Sequence, residues 1–244
     1  MERTYHSNGQ VKEEMWNCVR NDNGVTTYHN YKGPAYQSWY ITGQRKSIMY
    51  QVHNRHHNDN GPAYQSWHFN PNFTVELKPW EDQMCIPKKI DYYVNGQYHR
   101  EDGPAIQEWT KSGQLIREDY IVNGQLHRED GPTFREWYDN GQLSREEYYI
   151  NNALHREDGP ARQEWDVDGK IKHVSYMLNG MLQVSDNEPN AQTWENGLLA
   201  MTSWHLGDNH YKVNHYKRGI LIDTVYRHHF RKHRRWSCFT KMEH

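Results

Sequence analysis

A six-residue block, His-Arg-Glu-Asp-Gly-Pro, stands at residues 99–104, 127–132 and 155–160, and a tryptophan follows five residues after each proline, at Trp109, Trp137 and Trp165. Looser copies run from His57 to Pro62 with Trp67, and from His29 to Pro34 with Trp39. The prolines at 34, 62, 104, 132 and 160 are separated by 28, 42, 28 and 28 residues, and 42 is one period and a half. Such self-similarity marks a repeat architecture, in which each unit buries its apolar face only against its neighbours.

The turns between blocks specify strands. Asn95-Gly96, Ser112-Gly113, Asn123-Gly124, Asn140-Gly141, Asn151-Asn152, Asp168-Gly169 and Asn179-Gly180 are separated by steps that alternate 17 and 11 residues. Asn-Gly and Asp-Gly suit tight hairpin turns, whose central residues need positive φ. Turns this frequent leave no room for helices, and no 3.6-residue period runs between them. The expected fold is all-β: an elongated array of antiparallel hairpins, each unit of about 28 residues forming a long arm and a short arm of one meander. In the long arm, Ala105, Gln107 and Trp109 alternate with Ile106 and Glu108. Tyr120, Tyr148 and Tyr176, and likewise Leu126, Leu154 and Leu182, recur at the same period.

Composition supports a thin core. Hydrophobic residues make up 35% of the 244-residue chain, and the mean hydropathy is −1.17. Such polarity can signal disorder, but 10 Trp and 18 Tyr argue for a folded protein built on small aromatic clusters. The recurring tryptophan is the expected spine, since burying one contributes about 4–6 kcal/mol before entropy is counted. In the block, Gly103-Pro104, Gly131-Pro132 and Gly159-Pro160 are expected to bend the chain. Asp102, Asp130 and Asp158 are expected to accept hydrogen bonds from turn amides.

Three regions follow: an irregular N-terminal cap at 1–24, six repeats over 25–208, and a capping hairpin with a basic tail at 209–244. An insertion at about 71–89, with Trp80 and the three prolines Pro71, Pro79 and Pro87, supplies the extra half period. Insertions in repeat arrays often project from a contact face. From Arg227 onward, six Lys or Arg stand against one acid, a local net of +5, so the remainder carries −2 − 5 = −7. Arg227, Arg231, Lys232, Arg234, Arg235 and Trp236 are therefore candidate contacts for nucleic acid, an acidic partner or an anionic surface. Trp80 is the candidate contact in the insertion.

Chemistry finds little support. His99, His127 and His155 lie beside Arg, Glu and Asp, yet a catalytic site is needed once and this block recurs without a nucleophile. The ladder histidines are one repeat apart and cannot share one metal ion, whose ligands must lie near 2 Å from it. His53, His56 and His57, and also His228, His229 and His233, are local clusters without zinc-motif spacing. No phosphate loop or nucleophile elbow is present. The expectation is a non-enzyme without cofactor or metal. Three widely spaced cysteines, Cys18, Cys85 and Cys238, suit a reducing compartment. The polar start Met1-Glu2-Arg3-Thr4 and the lack of a long apolar run lead to the expectation of an unsecreted protein without a transmembrane segment.

The His-Arg-Glu-Asp-Gly-Pro-Ala block, the Asn-Gly-Gln-Leu turns and the 28-residue period resemble the variant MORN-type repeats of large amoeba-infecting DNA viruses of the marseillevirus and mimivirus kind. Asn-Gly-Gln-Leu is also similar to bacterial MORN-variant repeats described as antitoxin-like. The resemblance spans about residues 25–208 and is clearest over 92–182. The period differs from that of standard MORN repeats, and their Tyr-x-Gly pattern is missing. The resemblance implies a hairpin array used for protein contacts, such as a minor capsid-associated component in a virion, or alternatively a cytoplasmic module that binds a host or toxin-like protein. Nucleic-acid association through the basic tail is the second alternative.

Overall fold

The computed structural model describes residues 1–16, 19–20, 26–27, 33–71, 85–183, 188–207, 210–228 and 237–239. These residues are all strand, turn or loop, and no helix among them is long and apolar enough to cross a membrane. The chain divides into two compact units, Met1–Gln125 and Leu126–His244.

In the first unit, each strand pairs antiparallel with the next in the ladder. The order is Glu2–Tyr5, Val11–Met15, Tyr36–Trp39, Arg45–Met49, Tyr64–Trp67, Pro87–Asp91, Ile106–Trp109 and Leu115–Asp119. In the second unit the same pattern runs through Phe134–Trp137, Leu143–Glu147, Arg162–Trp165, Ile171–Ser175, Ala191–Glu195, Leu198–His205, His210–Lys217, Ile220–His228 and Ser237–Phe239. The expected array of antiparallel hairpins is the observed fold.

The ends of the arms depart from the expected single meander. The last residues of each short arm and the first of the next long arm leave the ladder as a separate two-stranded hairpin, such as Tyr93–Val94 with Gln97–Tyr98, or Tyr149–Ile150 with Ala153–Leu154. The physical reason is a second set of hydrogen bonds. The tip amide of each side hairpin donates to the end of the preceding one: Gly96 to His56 O and Gly124 to Tyr98 O at 2.8 Å, Asn152 to Leu126 O at 3.0 Å, Gly180 to Leu154 O at 2.8 Å. Side hairpins thus stack on each other and need no place in the ladder.

The insertion is narrower than the expected 71–89. Pro87–Asp91 is a ladder strand, paired on one side with Tyr64–Trp67, where the register shifts between Pro87 and Lys89, and on the other with Ile106–Trp109. The ordinary tip is closed by Tyr40 N–H to Gln44 O, whereas here His68 N–H reaches Ile86 O at 3.0 Å. Seventeen residues (69–85) therefore replace three (41–43), and the difference of 14 is the extra half period. Gln44, fully buried, clamps both stems of this tip. Its amide donates to His68 O at 2.7 Å and lies 3.6 Å from Cys85 Sγ, and its Oε1 accepts Asn70 N–H at 2.7 Å.

Small residues, not tryptophans, are the most enclosed. Ala35, Ala63 and Ala105 in the first unit, and Thr133 and Ala161 in the second, have no exposed surface, and Asn190 is 2% exposed. Each follows the Gly-Pro position or its degenerate equivalent. Each N–H donates to the adjoining strand, as Ala105 does to Asp119 O at 2.8 Å. On the opposite side, Tyr92 N–H donates to Ala105 O at 2.8 Å and Tyr148 N–H to Ala161 O at 2.8 Å. Backbone bonds on both sides hold these positions in mid-ladder, where the side chains of Ala105 and Ala161, and the larger ones of Thr133 and Asn190, are enclosed.

The expected tryptophan spine is corrected by this finding. Trp67 is buried at 7% exposure, while Trp109, Trp137 and Trp165 are half-buried. The reason is local: the ladder register shifts at Trp39, Trp109, Trp137 and Trp165. A bulge at the end of a strand places the ring beside the open tip and not in mid-ladder.

Between these positions the ladder is held by charge. Arg117 makes two bonds to Asp119, at 3.0 and 2.8 Å. Arg145 meets Glu136 at 2.9 Å, and Arg162 contacts both Glu147, at 3.4 Å, and Glu164. Burial, reinforced by the Glu147 carboxylate, pushes the Tyr149 hydroxyl up to about 12.

Candidate functional site

The side hairpin delivers the chain into the His-Arg-Glu-Asp-Gly-Pro block. In the third repeat, His99 N–H donates to Tyr92 O at 3.1 Å and Arg100 N–H to Ile121 O at 2.9 Å. With the backbone so pinned, the Arg100 guanidinium lies over the Tyr92 ring at 4.1 Å. Its Nε donates to Asp102 at 2.8 Å, and its Nη1 donates to Pro104 O at 3.3 Å. The fifth repeat repeats this geometry: Arg156 lies 4.1 Å over Tyr148 and reaches Asp158 at 2.8 Å and Pro160 O at 3.4 Å. In the fourth, Arg128 reaches Asp130 at 2.7 Å and Pro132 O at 3.3 Å.

The block is therefore an arginine clasp. A planar guanidinium can stack on an aromatic ring while its edge bonds a carboxylate and a carbonyl, which a lysine cannot do. Glycine at the fifth block residue follows from the same geometry. A Cβ added at Gly103, Gly131 or Gly159 would come within 2.9, 3.1 or 3.0 Å of the guanidinium carbon. The hydrogen bond from arginine, then its charge, holds the carboxyls of Asp102, Asp130 and Asp158 below the usual range. The expected turn-amide role of these aspartates is thus secondary to the guanidinium.

The histidines are also engaged in structure. Nδ1 of His99 accepts the N–H of Asn123 at 3.1 Å, and Nδ1 of His155 accepts that of Asn179 at 3.2 Å. At His99 this use of the Nδ1 lone pair puts the neutral ring proton on Nε2, whereas Nδ1 of His155 also lies 3.1 Å from Asn179 Oδ1. His127 lacks this bond: its Nδ1 is buried without a hydrogen-bond partner among the described residues, where Asn151-Asn152 replaces Asn-Gly. Glu101, Glu129 and Glu157 lie 3.9, 3.9 and 3.8 Å from the neighbouring His Nε2, too far for hydrogen bonds. Their side chains are 83%, 86% and 85% exposed, so in each of these blocks the glutamate is open to solvent.

An open cleft of about 580 Å³ separates the fourth and fifth blocks, with Arg128, Asp130, Tyr148, Arg156 and Asp158 among its walls. A second, of about 370 Å³, lies beside the degenerate sixth block at Tyr176, Gln183, Pro189 and Asn190. In the first, Arg128, Asp130, Arg156 and Asp158 are paired within their own blocks while Glu129 and Glu157 stand exposed, so it offers a charged surface. Among the described residues, no three His, Cys, Asp or Glu side chains gather as metal ligands would. The expected contact residues Trp80, Arg231, Lys232, Arg234, Arg235 and Trp236 lie outside the described residues. Arg227 sits in the strand Ile220–His228, opposite Tyr211.

Two features are unanticipated. The tyrosine platform was visible as a periodic column, and a Tyr-to-Arg spacing of eight residues (92 to 100, 148 to 156) links it to the clasp. Tip stitching is the second: the residue after Trp39 and after Trp137 reaches the next repeat, Tyr40 Oη donating to Trp67 O at 3.0 Å and Tyr138 Oη to Trp165 O at 2.9 Å. No protein-family model matches the chain, and no curated protein is significantly similar to it.

Proposed function

We propose that this protein is a non-enzymatic scaffold whose repeats present a periodic face for protein–protein contacts, and that it serves as a minor structural component of a large DNA virus particle. The observation that carries the scaffold reading is the use of the block's reactive side chains. Arg100, Arg128 and Arg156 are each committed to an aspartate and a proline carbonyl of their own block. Glu101, Glu129 and Glu157 remain exposed at the repeat period. Carboxylates exposed once per repeat suit a basic partner. The particle assignment rests on the sequence resemblance.

The test is quantitative mass spectrometry of purified particles against the soluble fraction of infected cells. A fixed ratio to the major capsid protein supports the assignment, and presence in the soluble fraction alone overturns it. A variant with Glu101, Glu129 and Glu157 changed to Lys is expected to keep its melting temperature and lose incorporation. Incorporation unchanged in that variant removes the acidic row from the contact.

A further inference from the structure

We propose that Asn60 is a site of spontaneous deamidation, the one Asn-Gly among the described residues that the fold leaves open to the reaction. The chain contains eight Asn-Gly pairs, and all but Asn23-Gly24 lie within the described residues. The reaction needs two things. The glycine amide nitrogen must lose its proton, and the asparagine side chain must be free to swing its Cγ onto that nitrogen.

Five of the pairs deny one or both, and the sixth is held in a tight turn between the paired Glu195 and Leu198. Gly96, Gly124 and Gly180 give their N–H to the preceding side hairpin at 2.8 Å. Gly9 and Gly141 donate to His6 O and Tyr138 O at 3.0 and 2.9 Å. The side chains beside them are tied down: Asn8 Nδ2 donates to Ile41 O and Asn140 Nδ2 to Val167 O, both at 3.1 Å. Asn196 is locked in a left-handed turn with φ of 51°.

Asn60-Gly61 differs because its block differs. The second repeat reads His57-Asn58-Asp59-Asn60-Gly61-Pro62, with Asn58 at the position of the clasp arginine. Asn58 keeps the bond to the proline carbonyl, at 3.0 Å to Pro62 O, and its Oδ1 accepts Asn60 N–H at 3.1 Å. No guanidinium reaches position 60. The Asn60 side chain is exposed and has no hydrogen-bond partner among the described residues, and Gly61 N–H donates to none. Neither residue has positive φ.

Hydroxide removes the Gly61 amide proton, and the nitrogen attacks Cγ of Asn60. The bond from Cγ to the side-chain nitrogen breaks, ammonia leaves, and a succinimide ring forms. Water then opens the ring at either carbonyl, giving aspartate or isoaspartate. Aspartate here matches the acid at Asp102, Asp130 and Asp158, but beside Asn58 it adds a negative charge without the compensating arginine.

The test is peptide mapping by mass spectrometry after incubation of the full chain at pH 8.5 and 37 °C, with isoaspartyl methyltransferase labelling. Asn60 is expected to convert at least roughly fivefold faster than Asn95, Asn123 and Asn179, the factor that one amide hydrogen bond is worth. The same chain in concentrated urea is expected to lose this ranking, and Gly61→Ala to suppress conversion at 60. Equal native rates, conversion at another described Asn-Gly ahead of Asn60, or a ranking that persists in urea overturns the proposal.

Discussion

Changing Asp91 to Asn is expected to stabilise the protein in a pH-dependent way. The Asp91 side chain is 6% exposed. Its Oδ2 lies 3.4 Å from Lys89 Nζ, and its Oδ1 has no hydrogen-bond partner among the described residues. Burial raises the carboxyl to about 6 from 3.8, against the opposing pull of Lys89. Lys89 is itself raised: burial lowers it, but the charges of Asp91, Tyr98 and Glu108 outweigh that. The pair is real, and desolvation of the carboxylate wins.

The sign follows from linkage. The folded state binds this proton more tightly than the unfolded chain does. The associated stability is fully present below 3.8 and is lost as pH rises through about 6. Across that interval of 6 − 3.8 the loss is about 3 kcal/mol. Asn keeps the shape and cannot ionise, while Lys89 retains Glu108 at 3.4 Å. With the lost Lys89 attraction subtracted, the expected gain at pH 8 is about 1–2 kcal/mol. It should fall by about 1.4 kcal/mol on going to pH 5, one unit below the folded value. Urea denaturation of both proteins at the two pH values measures this. An Asn advantage that is the same at pH 5 and pH 8 refutes the reasoning.

Four further outcomes are expected. Ala161→Leu, at a position with no exposed surface, should cost about 3 kcal/mol or more by overpacking, measured by urea denaturation. Trp137→Ala should cost about 1–3 kcal/mol, and more than Glu136→Ala, whose ion pair with Arg145 is worth at most about 1 kcal/mol. Arg156→Lys should lose nearly as much stability as Arg156→Ala, about 1–2 kcal/mol, because lysine cannot both stack on Tyr148 and bond Asp158 and Pro160 O. Gln44→Leu should cost about 2 kcal/mol by leaving Asn70 N–H and His68 O without their partner, and should speed proteolysis between 70 and 85.

The periodicity made the hairpins, the tips and the extra half period readable from residue order alone. Asn95-Gly96, Asn123-Gly124 and Asn179-Gly180 turn where expected, with each asparagine near φ of 50°. The site was half readable. The block stood out, but its chemistry looked reactive because sequence cannot say whether neighbouring His, Arg, Glu and Asp side chains face each other. The clasp needs Tyr92 eight residues earlier, and that contact exists only once the side hairpin has folded back.

Chain order determined what was local: turn type, strand length, the 28-residue period, and glycine where an arginine must pass. These depend on φ preferences and on hydrogen bonds within a few residues. Tertiary structure decided which periodic column is most deeply enclosed. Tryptophan has more surface to bury, yet it falls at a bulge next to an open tip, whereas Ala105 and Ala161 lie where the backbone bonds on both sides. Burial depends on the distance between strands, and that distance is set by the ladder hydrogen bonds and not by the hydrophobicity of any one residue.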